Sequence, residues 1–173
     1  FALVMAAMSS LGDGWIPVIL VGVVVAICVI RKKWLEAVFV ATTLSSVLLD
    51  SALKVLVGRP RPPLFPLNPA DFFLAFNQYS FPSGHVLFYV VFFGFLAFLS
   101  WLHLTGWMRM ITIAVCGALI MLIAPSRIYL GAHWASDVIG SYIIGTLWLI
   151  ILILLYLMVL HRRSKGLGEK RDL

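Results

Sequence analysis

Three short words in this 173-residue chain gather the residues able to handle a charged group. The first runs Lys54-Val55-Leu56-Val57-Gly58-Arg59-Pro60-Arg61-Pro62, the second is Pro82-Ser83-Gly84-His85, and the third is Ser126-Arg127 followed by His133 and Asp137. Lys54, Arg61 and Arg127 can neutralise an anion, the arginines through a planar donor fork. Pro82 breaks the chain before it, and Ser83 suits the N-cap of a helix starting near Gly84. Free backbone N–H groups at Ser83 and Gly84, with the positive end of the helix dipole, would then face outward as an anion site. Gly84 has no side chain to keep a ligand from the backbone, and His85 at the helix start can hand over a proton. His133 and Asp137 are four residues apart. On a helix they share a face, so the carboxylate can hold one ring nitrogen and leave the other as base or nucleophile. Plainer readings exist for each: an ordinary cap with a solvent-facing histidine, and a purely structural His–Asp pair.

The elements that must position these words are apolar. The composition is 62% hydrophobic and 12% charged with a mean hydropathy of +1.06, outside the range of soluble domains. Five runs, at roughly 15–30, 34–53, 86–103, 108–124 and 138–160, approach the length needed to cross a bilayer as a helix. They lack the alternation of a barrel, so the expected fold is an all-α, polytopic transmembrane bundle forming one domain over 1–173. Threaded alternately, nine of the thirteen Lys and Arg residues fall on one face, which the positive-inside rule makes cytoplasmic. Lys54, Arg59, Arg61 and Arg127 fall on the other, where all three words lie. The net charge of +6 has no soluble basic domain to carry it, so nucleic acid is not an expected partner. Cys28 and Cys116 lie inside apolar runs and read as core thiols.

Between the runs, the first fourteen residues fall on the outward face, as the end of a helix or an interfacial stub closed by a turn at Ser9–Gly14. The connection 54–85 is rich in Pro and aromatics and reads either as a surface loop with an aromatic belt or as a lateral gate for a lipid headgroup. The tail 161–173 is a basic, solvated end beside anionic lipid. Asp50, four residues before Lys54, reads as a helical ion pair holding the lysine. Arg59 meets a headgroup or solvent, Trp134 and Tyr129 are interfacial anchors, and His103 and His161 are assigned no role.

The pattern K-x6-RP, PSGH, SR-x5-H-x3-D, carried by Lys54, Arg61-Pro62, Pro82 to His85, Ser126-Arg127, His133 and Asp137, resembles the type 2 phosphatidic acid phosphatase (PAP2) superfamily. The resemblance implies a bundle of six helices when complete, five being visible here, so that a first helix is missing or reduced to the stub. It implies a bacterial inner-membrane lipid phosphatase with its site facing outward. His133 would be the nucleophile, oriented by Asp137 and forming a phosphohistidine, and His85 the general acid and base. Lys54, Arg61, Ser83, Gly84 and Arg127 would bind phosphate. No metal or cofactor is implied, since cations fill the electrostatic role and no carboxylate cluster suits magnesium. Undecaprenyl diphosphate, phosphatidylglycerophosphate and phosphatidate fit equally. A haloperoxidase-type chemistry and a headgroup-binding or transport protein without hydrolysis are the competing readings.

Overall fold

The computed structural model describes residues 2–63 and 78–169, with side chains through 165. Of the connection 54–85, read as a surface loop or a lateral gate, residues 64–77 with Asp71 lie outside the described residues, as do Lys170 and Arg171. Among the described residues seven helices follow one another: α1 Ala2–Ser10, α2 Ile16–Ile30, α3 Trp34–Thr42, α4 Ser45–Val57, α5 Gly84–His103, α6 Gly106–Tyr129 and α7 Ala135–Glu169. Among the described residues four apolar helical stretches are long enough to cross a membrane: Trp34–Val57, Gly84–His103, Gly106–Tyr129 and Ala135–Lys165. The first expected run is a 15-residue helix, about 22 Å long at 1.5 Å per residue and short of the roughly 30 Å hydrocarbon core.

The expected run 34–53 is divided between α3 and α4, and its hydroxyls accompany the break. Thr42, Thr43, Ser45 and Ser46 each donate to the carbonyl three residues back, at 2.6–2.8 Å, which competes with a regular helix ladder. At the other end of the chain, α6 runs through Pro125 to Tyr129, so Ser126 and Arg127 sit in its last turn instead of in a loop. The connection to α7 is only 130–134.

Helix α5 is the most buried of the spans and packs against α3, α4, α6 and α7. Lipid tails are as apolar as leucine, so association rests on close packing and interhelical hydrogen bonds more than on a hydrophobic drive. The aromatic run of α5 supplies the packing. Phe88 stacks on Phe92 at 5.2 Å between centroids, and Tyr156 of α7 meets Phe39, Phe95 and Phe98 edge-on at 5.3–5.9 Å. Trp148 Nε1 donates to Ser45 Oγ (2.9 Å) and Tyr142 Oη to the Ile120 carbonyl (2.5 Å), tying α7 to α4 and α6. At the end of the bundle remote from the three words, His103 Nε2 pairs with Glu36 Oε1 at 2.9 Å. That contact joins α5 to α3 and gives His103 a structural role where none was expected.

The stub is a full element. Helix α1 lies on α6, with Ser126 Oγ donating to the Met5 carbonyl (2.7 Å) and Tyr89 Oη to the Met8 carbonyl. It therefore belongs to the end of the bundle that carries the three words.

Candidate active site

The first word hangs from the end of α4. Lys54 points into the bundle, 6% exposed, and donates to Asp50 Oδ2 at 2.8 Å, the pair expected from their spacing. Four residues on, Gly58 takes φ 61°, a left-handed conformation that glycine adopts without penalty, and ends the helix. The chain then crosses to the other two words. Arg59 Nη1 donates to Asp137 Oδ1 (2.6 Å) and Ser136 Oγ (2.8 Å), and its guanidinium lies 5.8 Å from the Trp134 ring centroid. The Pro60 carbonyl accepts from Ser80 Oγ (2.9 Å) and Trp134 Nε1 (3.2 Å), and Arg61 Nη1 donates to the Ala132 carbonyl (3.0 Å). Arg59, expected to meet a headgroup or solvent, is a clamp between α7 and the strand of chain that carries Arg61.

In the second word Ser83 occupies the N-cap position with an extended backbone, but its hydroxyl makes no capping bond. Its Oγ is buried and has no hydrogen-bond partner among the described residues. The expected free N–H of Ser83 is not free: it donates to Ser141 Oγ at 2.7 Å, and that hydroxyl donates to the Asp137 carbonyl at 2.6 Å. The first hydrogen bond along α5 runs from Leu87 N to the Ser83 carbonyl (3.0 Å), so the N–H groups of Gly84, His85 and Val86 precede the ladder. Gly84 is needed for a reason other than ligand access. A Cβ there would sit 2.7 Å from Asp50 Oδ2, so the missing side chain lets α5 close on the Asp50–Lys54 pair. Gly84→Ala is expected to push that pair aside and lower turnover by about 10- to 100-fold with the helix content kept, as checked by steady-state rates and far-UV circular dichroism.

The third word is split by a turn. Arg127 is 7% exposed; its Nη1 donates to Ser9 Oγ of α1, and its Nε has no hydrogen-bond partner among the described residues. Gly131, at φ 67°, reverses the chain, and Ala132 N donates to the Arg127 carbonyl (3.1 Å), which brings His133 back over the bundle. His133 is 3% exposed, and its Nδ1 lies 2.6 Å from the Ser80 carbonyl oxygen. A carbonyl only accepts, so Nδ1 carries the proton and Nε2 keeps its lone pair. Burial, reinforced by the positive charges of Arg127 and Arg61, pushes the imidazole well below its usual 6.5, so it is neutral at neutral pH.

The expected Asp137–His133 bond is not formed. Helix α7 begins at Ala135, which leaves His133 outside it and makes Asp137 its third residue. From there Asp137 Oδ2 reaches back to accept from Trp134 N (2.9 Å), as the acid of a capping box does, while Oδ1 is taken by Arg59. The Ser80 carbonyl holds the ring instead.

Lys54 and Arg127 are thus within electrostatic reach of both His85 and His133, and Arg61 is within reach of His133. Among the described residues, the buried side-chain atoms without a hydrogen-bond partner are Asp50 Oδ1, Ser83 Oγ and Arg127 Nε, and all three belong to this site. Buried polar atoms are normally paired, and an unpaired donor costs about 1–3 kcal/mol, so Ser83 Oγ and Arg127 Nε are each able to take up an acceptor oxygen of a ligand. Besides Ser80 on His133 and Ser141 on Ser83, the residues that escaped the sequence reading include Ser9, on Arg127, and Asp13, whose Oδ1 lies 2.8 Å from His85 Nε2. The available signal was the threading, which put this rare carboxylate on the same face as the cations.

A sequence profile of the PAP2 superfamily matches residues 34–160. The chain is 29% identical over 143 residues to phosphatidylglycerophosphatase B of Bacillus subtilis, covering 81% of this chain and 61% of that protein. It is 28% identical over 121 residues to undecaprenyl-diphosphatase of Sulfolobus acidocaldarius, covering 67% of this chain and 52% of that protein. The matches therefore span between half and two thirds of the length of these relatives. Among solved structures, a transmembrane PAP2-type phosphatidylglycerolphosphate phosphatase from Bacillus subtilis is similar with a TM-score of 0.73 and 26% identity, covering 98% of this chain and 77% of that chain.

Proposed function

Because the chain belongs to the PAP2 superfamily, we propose that it is a membrane phosphatase that releases phosphate from a monoester or diphosphate of a lipid through a phosphohistidine on His133. The observation that carries this reading is the state of His133: neutral, held at Nδ1 by the Ser80 carbonyl, with the Nε2 lone pair in a field of cations. Phosphate settles among Lys54, Arg61, Arg127, the Ser83 hydroxyl and the leading N–H groups of α5. Their charge meets the charge that builds on the transferring phosphoryl group. His133 Nε2 attacks phosphorus in line, and the bond to the leaving oxygen breaks as that oxygen takes a proton from His85. Water then attacks phosphorus, His85 takes up its proton, and the phosphorus–nitrogen bond breaks. Asp137, through Arg59 and Trp134, holds the loop that carries His133.

The names of the relatives point to phosphatidylglycerophosphate and undecaprenyl diphosphate as substrates to test first. The excess of Lys and Arg at the opposite end supports an outward-facing site in a bacterial plasma membrane. The test is phosphate release in detergent, with EDTA present, from those two lipids, phosphatidate and a soluble monoester. Rapid quenching with labelled substrate should trap protein-bound phosphate that survives alkali and is lost in acid. Absence of release from every substrate overturns the reading.

The pH dependence follows from His133. A base whose proton affinity is depressed stays unprotonated as the pH falls, so the limb of kcat/KM that reports its protonation lies well below 6.5. Lowering the pH from 8 to 6.5 is expected to cost nothing through His133, as a full pH–rate profile would reveal. A limb at or above 6.5 would mean that the imidazole is solvated.

A further inference from the structure

The N-terminal segment takes no part in the proposed phosphoryl transfer, although it is built into the site. Helix α1 is docked by Ser126 Oγ on the Met5 carbonyl, Tyr89 Oη on the Met8 carbonyl and Arg127 Nη1 on Ser9 Oγ. The turn that follows wraps His85. A Cβ on Gly12 would lie 2.4 Å from His85 Cδ2, so that edge of the ring is covered by backbone. Asp13 Oδ1 closes the neighbouring corner at Nε2, 2.8 Å away. Among the described residues, Nδ1 has no hydrogen-bond partner.

We propose that Asp13 is a positioning residue of this site, which fixes His85 by its Nε2–H and directs the exchangeable proton to Nδ1. This inference rests on the proposed function. A carboxylate accepts and cannot donate when ionised, so Nε2 must be the donor in this pair, and Nδ1 is the ring nitrogen that can give up and regain a proton. The surroundings explain why an anion is required. Arg127 and Lys54 both act electrostatically against a proton on His85, and Asp13 is the carboxylate that opposes them as the ring takes up the proton it passes to the leaving oxygen. The bond to His85 in turn holds Asp13 below its usual 3.8, so the carboxylate is ionised at neutral pH. Asp13 itself is 57% exposed, and an exposed ion pair alone would count for little. Here the histidine is 16% exposed and clasped by Gly12, which makes the contact part of the wall of the site.

A general acid matters in proportion to how poor the leaving group is. Alkoxide departing from phosphatidate needs the proton, whereas p-nitrophenolate departs with far less help. Asp13→Asn should therefore lower turnover of phosphatidate by about 100-fold or more but that of p-nitrophenyl phosphate by only a few-fold, and His85→Ala should show the same split. Asp13→Glu should recover much of the loss. Equal losses on both substrates in Asp13→Asn, with no recovery in Asp13→Glu, would reduce Asp13 to a packing residue. A rate that rises on removing the carboxylate would mean that Asp13 occupies the seat of the substrate. Either result overturns the inference while wild-type phosphate release leaves the proposed function standing, and absence of release by the wild type overturns both.

Discussion

Replacing His133 by alanine is expected to lower phosphate release from every substrate by at least about a thousandfold, because the variant has no atom to form the covalent intermediate. The loss should fall on kcat, with KM little changed, since Lys54, Arg61 and Arg127 still hold the phosphate. The same variant leaves the Ser80 carbonyl, which accepts from Nδ1 at 2.6 Å, without its donor. That costs roughly 1–3 kcal/mol, so thermal melting in detergent must accompany the kinetics to separate lost chemistry from lost fold. His133→Asn offers an amide N–H toward the same carbonyl and should melt closer to the wild type while staying inactive. A His133→Ala protein that still turned over with the wild-type leaving-group dependence would mean that phosphate is transferred directly to water.

Removing the cation at Lys54 should be the largest single insult to stability. Lys54 and Asp50 are both buried, with side chains 8% and 11% exposed, and Asp50 Oδ1 already has no hydrogen-bond partner among the described residues. Lys54→Met leaves an uncompensated carboxylate inside the bundle, where the loss of one member of a buried pair typically costs about 3–5 kcal/mol. Asp50 also underlies the start of α5, as Gly84 shows, so the damage extends to the second word of the site. The double variant Asp50→Leu/Lys54→Met removes both charges and should regain most of the stability without regaining activity. Melting temperatures of the wild type, both single variants and the double variant complete the cycle. If Lys54→Met melted like the wild type, the pair would be solvated.

These outcomes also separate what could be read along the chain from what could not. Where both partners lie on one helix, the 3.6-residue period was enough: Asp50 and Lys54 pair as their spacing dictates. The apolar runs announced a membrane bundle, because composition and length are properties of a segment alone. Their interruptions were less visible. The break between α3 and α4 depends on hydroxyls turning back on their own carbonyls, and the extension of α6 past Pro125 depends on packing against its neighbours.

By itself, then, the sequence determined that three words of cations, imidazoles and a carboxylate lie at the ends of membrane helices, on one side. Only the tertiary structure decided which atom meets which. Asp137 caps α7 and binds Arg59 instead of His133, because the helix starts two residues after the histidine and the four-residue spacing never becomes a shared face. His133 is held by Ser80, and His85 by Asp13, partners separated from them by 53 and 72 positions. Such contacts have no period in the sequence. They arise when helices that are each locally specified pack side by side, and that packing sets the partner, the tautomer and the charge of each histidine.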